Sequence, residues 1–157
     1  MTHTAIKSQP LQTWQEVLAP HSLGYRIKLA SQILSRKFQD RLEPYGLTPF
    51  HWLVLCCLWQ EDGLPTLTIS EKLQQVGGTL TGVIDRMEER GVVRRERDAK
   101  DRRIWRIWLT EEGKELQNIL PPIALQLRQD TVKGISIADQ KRFSHILDQI
   151  LANLSED

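Results

Sequence analysis

A chain of 157 residues, 40% hydrophobic and 26% charged, has the size of one domain and can bury a sizeable core. Its formal net charge of +1 excludes a uniformly basic or acidic protein, so a charged partner has to be met by a local concentration of one sign. No apolar run approaches the roughly 18 residues of a membrane span, and Met1-Thr2-His3-Thr4 lacks the charged-then-apolar pattern of a secretion signal, so a cytoplasmic protein with no membrane partner is expected.

Residues 1–20 form an N-terminal arm, polar until Leu11, Trp14, Val17 and Leu18, and bounded by Pro10 and Pro20. It reads either as a short helix or arm packed on a partner subunit, or as a frayed tail. From His21 to about Glu43 a long helix is predicted, with Leu23, Ile27, Ala30, Leu34 and Phe38 on one face. Pro44-Tyr45-Gly46 stops it. Thr48 then caps a helix with Pro49 at its first position, where a missing N–H costs nothing. Phe50 to Trp59 is apolar nearly all round, which predicts a central, buried helix. Glu61 to Pro65 reads as a loop.

The stretch from Thr66 to Thr110 carries the densest pattern. Thr68-x-x-Glu71 fits a capping box at the start of a helix running to about Val76, and Gly77-Gly78 fits a tight turn. Leu80, Val83, Ile84 and Met87 then form one buried stripe of a second helix, whose other face carries Thr79, Gly82, Arg86 and Arg90. Thr81 and Asp85 lie to one side. Gly91 suits the left-handed residue after a helix. Val92-Val93 begins an extended segment, and Trp105, Ile107 and Leu109 alternate as the buried face of a strand. Between them, Arg97 to Arg103 is too polar to pack. Helix, turn, helix and a two-stranded hairpin with a charged tip read as a winged helix-turn-helix.

Beyond it, Thr110 caps a helix with Glu111 and Glu112 in its first turn, where the helix dipole favours acids. Pro121-Pro122 should kink or break that helix. Gly134 ends it, and Ser136-x-x-Asp139 opens the last helix. There Phe143, Ile146, Leu147, Ile150, Leu151 and Leu154 make a continuous apolar stripe, able to bury itself within one subunit or against a partner helix.

Charge gathers on the central unit. From Arg86 to Arg106 nine Lys and Arg stand against five Asp and Glu, whereas residues 1–85 balance at seven of each sign and residues 107–157 are net acidic. That is an electrostatic footprint for nucleic acid. A short helix with small polar residues near its start fits a major groove about 12 Å wide. A hairpin with arginines at its tip can reach a neighbouring minor groove and its phosphates.

Leu73 to Gly113 resembles the DNA-binding half of a MarR-type transcriptional regulator. The matching residues are Thr79-Leu80-Thr81, Asp85-Arg86-Met87-Glu88, Arg90-Gly91-Val92-Val93, Asp101-Arg102-Arg103 and Leu109-Thr110-Glu111-Glu112-Gly113. The flanking helices extend the resemblance over nearly the whole chain. It implies a mainly α-helical fold: a winged helix-turn-helix at 66–110 with a small β-hairpin wing, and dimerisation helices at 21–45 and 111–155, together a domain of residues 21–155. It also implies a homodimeric repressor or activator that binds palindromic double-stranded DNA and is released by a small molecule or an oxidant. The expected DNA-contacting set is Gly78, Thr79, Thr81, Gly82, Arg86, Arg97, Lys100, Arg102 and Arg103, with Asp101 bracing one wing arginine while the other enters the minor groove. Where many relatives carry arginine, this chain has Gly82. The last-helix stripe, Phe143 to Leu154, becomes the dimer seam. The resemblance places an effector pocket between the first long helix, the buried second helix and the DNA-binding lobe. His21, Tyr25, Arg26 and His51 could line it for an aromatic anion, although Tyr25 and His51 are equally read as core residues with satisfied polar tips. A winged helix that binds protein or RNA without operator specificity is the alternative reading.

Other constellations point to less. Cys56-Cys57 lies mid-helix in an apolar run, where thiols stay protonated. Neighbouring Cα atoms, about 3.8 Å apart, suit a relaxed disulfide poorly. His3, His21, His51 and His145 share no metal-ligand spacing. No Ser-His-Asp set, glycine-rich phosphate loop or paired carboxylates stand out, so no catalytic residue, metal or cofactor is nominated and an enzyme is not expected.

Overall fold

Helix α1 spans Leu23–Leu42, with the Ser22 side chain accepting the N–H of Tyr25 at its start. In the computed structural model, residues 16–74 and 77–155 are described. Leu11 and Trp14 of the arm, and the Val76 helix end expected above, therefore lie outside the described residues. Val17 and Leu18 are exposed. Most apolar side chains of α1, among them Leu23, Ile27 and Leu34, are also exposed, while Leu42 at its end is fully buried. A 3-10 turn, Glu43–Tyr45, and left-handed Gly46 carry the chain into α2, Pro49–Gln60. Thr48 caps α2 in a full capping box: its hydroxyl accepts the N–H of His51, and His51 Nδ1 accepts the N–H of Thr48. Val54, Leu55 and Leu58 put α2 in the core, each such side chain worth about 1.5–3 kcal/mol of burial.

The stretch read as a loop before the reading unit ends in a strand. β1, Leu64–Pro65, pairs antiparallel with β3, Trp105–Leu109, through Leu64↔Ile107 and Pro65↔Arg106. β3 also pairs with β2, Val93–Arg97, giving a three-stranded sheet in the order β1-β3-β2. This pairing moves the next helix forward. α3 spans Thr66–Leu73 and starts directly after Pro65, with no side-chain cap. The Thr68-x-x-Glu71 capping box therefore does not form. The Thr66 hydroxyl instead donates to the Trp105 carbonyl across the sheet.

α3 turns out of its last residue through Gln74 at φ 52°, so a non-glycine takes the left-handed position. Gly77 and Gly78, expected as the turn, are the first residues of α4, Gly77–Glu89. Leu80, Ile84 and Met87 of its stripe are buried and Val83 is half-buried. Gly91, at φ +80°, ends the run as expected.

α5, Glu111–Thr131, opens with the Thr110 hydroxyl accepting the N–H of Gly113 and donating to the Gly91 carbonyl. It continues unbroken through Pro121-Pro122, correcting the expected break. The carbonyls those prolines leave unpaired belong to Gln117 and Asn118, both exposed, so water can satisfy them. α6, Ile137–Leu154, is capped by Ser136. The chain divides into two compact units, Met1–Glu115 and Leu116–Asp157, the boundary falling inside α5. Along α6, Phe143, Ile146, Leu151 and Leu154 are exposed while Leu147 and Ile150 are half-buried.

Candidate nucleic-acid interface

The burial of Leu80, Ile84 and Met87 turns the opposite side of α4 to solvent, and there Thr79, Thr81, Gly82 and Arg86 are exposed. Gly78 lies in the helix's first turn. Nothing lies within 4 Å of where a Cβ on Gly82 would project, so its surface is open. This face therefore consists of hydroxyls, bare backbone and one guanidinium.

The wing is fixed to α4 by Arg95. Its guanidinium pairs with Asp85 and Glu88 of the helix and reaches the Thr81 carbonyl, while its backbone N–H donates to Glu88. Asp98 organises the tip. It accepts the N–H groups of Lys100 and Asp101 and the Arg106 Nε at 2.6 Å. The bond from Arg106, then those two backbone donors, holds the Asp98 carboxyl down to about 2. It is therefore ionised at any ordinary pH, and its contribution to wing stability is complete above about 4 and lost progressively as pH falls from there to about 2.

Asp101 braces Arg103 with two hydrogen bonds, Nε to Oδ1 and Nη2 to Oδ2, each 3.0 Å, and also accepts the Arg103 N–H. That pair lowers the Asp101 pKa and raises that of Arg103. Arg103 nevertheless keeps 90% of its side chain exposed. Bracing thus holds Arg103 outward instead of withdrawing it, and one residue can be both braced and presented. Arg102 is exposed, and its carbonyl accepts Arg97 Nη1.

One of the two wing tryptophans differs from expectation. Trp105, assigned to the buried side, is 40% exposed and carries the Arg97 guanidinium over its ring at 3.8 Å. At the end of a strand with a polar tip beside it, no core reaches it. Trp108 on the other face packs over Gly63, whose missing Cβ makes room for the ring, and Arg94 lies above the ring. Asp62 ties this corner down by accepting the N–H groups of Gly63 and Leu109. Sequence reasoning passed over Asp62, Asp98 and Arg95; the Asp-Gly dipeptide and the aspartates of a polar tip were the available signals.

The basic cluster is less free than its count suggests. Arg90, Arg94, Arg95, Arg103 and Arg106 each pair with a nearby acid: Glu112, Glu96, Asp85 with Glu88, Asp101 and Asp98 respectively. Among the described residues, Arg86, Arg97, Lys100 and Arg102 make no ion pair, Arg97 being held instead by the Arg102 carbonyl and the Trp105 ring.

The four residues nominated for an effector pocket differ in burial. His51 is buried in its capping box, and burial, then the nearby positive Arg86, lowers its pKa, so it stays neutral at pH 7 and keeps its acceptor role. His21, Tyr25 and Arg26 are exposed at the start of α1. A shallow cavity of about 570 Å³ on α1 is instead lined by Ser31, Gln32, Ser35, Arg36, Gln39 and Pro49.

Cys57 is buried and Cys56 half-buried; burial raises both thiols, Cys56 to about 11. At neutral pH almost no thiolate forms, so both are poor nucleophiles. Serine at both positions should leave any oxidant response unchanged. Peroxide releasing the wild-type protein from DNA, and not the double variant, would overturn that. Among the described residues no cluster of His, Cys, Asp or Glu could hold a metal, and no helix is long and apolar enough to cross a membrane.

The MarR family model matches residues 47–105. The HTH-type transcriptional regulator SarZ of Staphylococcus epidermidis is 33% identical over 102 residues, covering 65% of this chain and 69% of that protein. Among solved structures, the S. aureus MepR-DNA complex superposes with a TM-score of 0.79 at 25% identity, over 84% of this chain and 98% of that one. BpsR of Bordetella bronchiseptica, whose DNA binding is regulated by 6-hydroxynicotinic acid, gives a TM-score of 0.78 at 25% identity, over 85% and 95%.

Proposed function

This chain belongs to the MarR family, and on that footing we propose that it is a homodimeric, sequence-specific DNA-binding transcriptional regulator acting on palindromic sites, its affinity modulated by a small-molecule effector. The observation that carries the proposal is the pairing of an exposed polar face on α4 with a wing arginine that is braced twice and still faces solvent. In the proposed complex α4 enters the major groove, with Thr79, Thr81, Arg86 and the bare backbone at Gly78 and Gly82 against base edges and adjoining phosphates. Arg103 enters the flanking minor groove, held by Asp101. Lys100 and Arg102 meet phosphates, and Arg97 stiffens the tip through Trp105.

The exposed apolar residues of α1 and of α6, Phe143 and Leu151 among them, support a homodimer, since water-facing stripes of that kind are normally covered. Two heads of a dimer must match major grooves that recur about every 34–36 Å. An effector acts by binding one separation of the heads better than another, which needs only a differential affinity. A DNA partner supports a cytoplasmic location, and no catalytic role is assigned.

Selection of bound sequences from random duplex DNA with the purified protein tests this. A recovered palindrome supports a sequence-reading dimer; recovery of no preferred sequence overturns it. The salt dependence supplies a second check. With Arg86, Lys100 and Arg102 as the phosphate-facing cations of each subunit, the slope of log affinity against log salt should be about −5 for a dimer, or about −7 with Arg103. All nine basic residues per subunit would give about −16. A slope near zero would indicate an apolar protein partner instead.

A further inference from the structure

Beside the braced arginine, the start of β3 and the start of α3 enclose an apolar hollow of about 520 Å³. Leu67, Ile104 and Trp105 supply most of its apolar surface, and Pro65, Thr66, Thr68 and Arg103 complete its lining. Leu67 is 70% exposed and Ile104 37%, a concentration of solvent-facing apolar surface within a charged wing. The hollow is also stiff. Pro65 pairs with Arg106, the Thr66 hydroxyl holds the Trp105 carbonyl at 3.3 Å, and Arg97 covers the Trp105 ring.

We propose that this hollow seats the deoxyribose of the DNA strand flanking each half-site, an apolar contact that binds the backbone without neutralising a phosphate. The inference rests on the DNA-binding reading above and adds a surface to it. Three observations favour this occupant. The hollow is continuous with Arg103, so a strand bordering the minor groove that Arg103 enters passes over it. Apart from the braced Arg103, the residues that line it carry no charge, and apolar walls suit the sugar, the least polar part of the backbone. Leu67 stays too exposed for the hollow to enclose a small ligand, which needs most of its surface covered, whereas a duplex held by contacts on either side can lie along an open seat.

The test uses the full-length protein and a duplex recovered by selection with the wild type, followed by fluorescence anisotropy across a salt series. Leu67→Ala should lower affinity roughly fivefold to tenfold, the size of losing burial of one or two methyl-sized groups, and leave the salt slope unchanged. Leu67→Met should restore affinity. Undiminished affinity of Leu67→Ala, with Arg103→Ala still impaired, overturns the seat and leaves the DNA reading standing. A loss accompanied by a changed salt slope likewise overturns it, since the contact would then be electrostatic. A wild-type protein that binds no duplex at low salt removes both readings together.

Discussion

Arg103→Ala should lower affinity for a selected operator by about 1–3 kcal/mol, roughly tenfold to a hundredfold, and the loss should be larger with A·T than with G·C at the flanks. Narrow A·T minor grooves concentrate negative potential and attract an inserted arginine. Equal losses on both operators would leave the wing as a phosphate clamp; unchanged affinity would remove Arg103 from the interface. Asp101→Ala gives the sharper result because the competing effects have opposite signs. Removing an acid from a surface that meets a polyanion should by charge alone strengthen binding. If the two hydrogen bonds to Arg103 position it for the groove, the same change should weaken binding instead. The double variant should then be no weaker than Arg103→Ala alone, the signature of coupled residues.

Local patterns in the chain anticipated much of this arrangement. The stripe Leu80, Ile84, Met87, the Thr48-Pro49 and Ser136 caps, and Gly91 are each decided within a turn or two of chain, where periodicity and capping chemistry act. What failed depended on partners distant in sequence. α3 begins at Thr66 because Leu64 and Pro65 pair with β3, more than 40 residues on, and nothing in Thr66 to Glu71 announces that pairing. Alternation placed Trp105 inside, but a strand's period is blind to where the core stops. The charge count marked the right region and could not tell a guanidinium offered to DNA from one spent on Glu112 or Asp98. The spacing pointed to Asp101 as a partner for one wing arginine, but it could not say that this partner is Arg103 or that Arg103 stays exposed while bonded.

Gly113→Ala should be strongly destabilising for so small a change. A Cβ at Gly113 would overlap the Val92 carbonyl oxygen and press the Leu109 side chain. The backbone cannot easily move aside, because the Gly113 N–H is held by Thr110 and its carbonyl accepts Trp59 Nε1 at 2.9 Å. Overpacking against a fixed neighbour costs about 1–3 kcal/mol, and at this chain length each kcal/mol lowers Tm by about 2–4 °C. A Tm lowered by up to about 12 °C in a thermal melt is therefore expected. Gly82→Ala is the matched control: open space surrounds it, and alanine is the better helix former by about 1 kcal/mol. A Gly113→Ala protein melting with the wild type would show that α5 can slide away from Val92 at no cost.

The lashing of β2 to α4 through Arg95 has a consequence for how DNA is measured. Arg95 is bonded to Asp85, Glu88 and the Thr81 carbonyl, so the wing cannot swing independently of the helix it accompanies. The two behave as the fixed jaws of a caliper. A caliper loses little freedom when it closes on its object, which conserves affinity. It also tolerates no error in gauge: in the proposed complex, one base pair inserted between the bases facing α4 and the groove assigned to Arg103 would displace one jaw by about 3.4 Å. The length of a half-site is thereby judged as strictly as its letters.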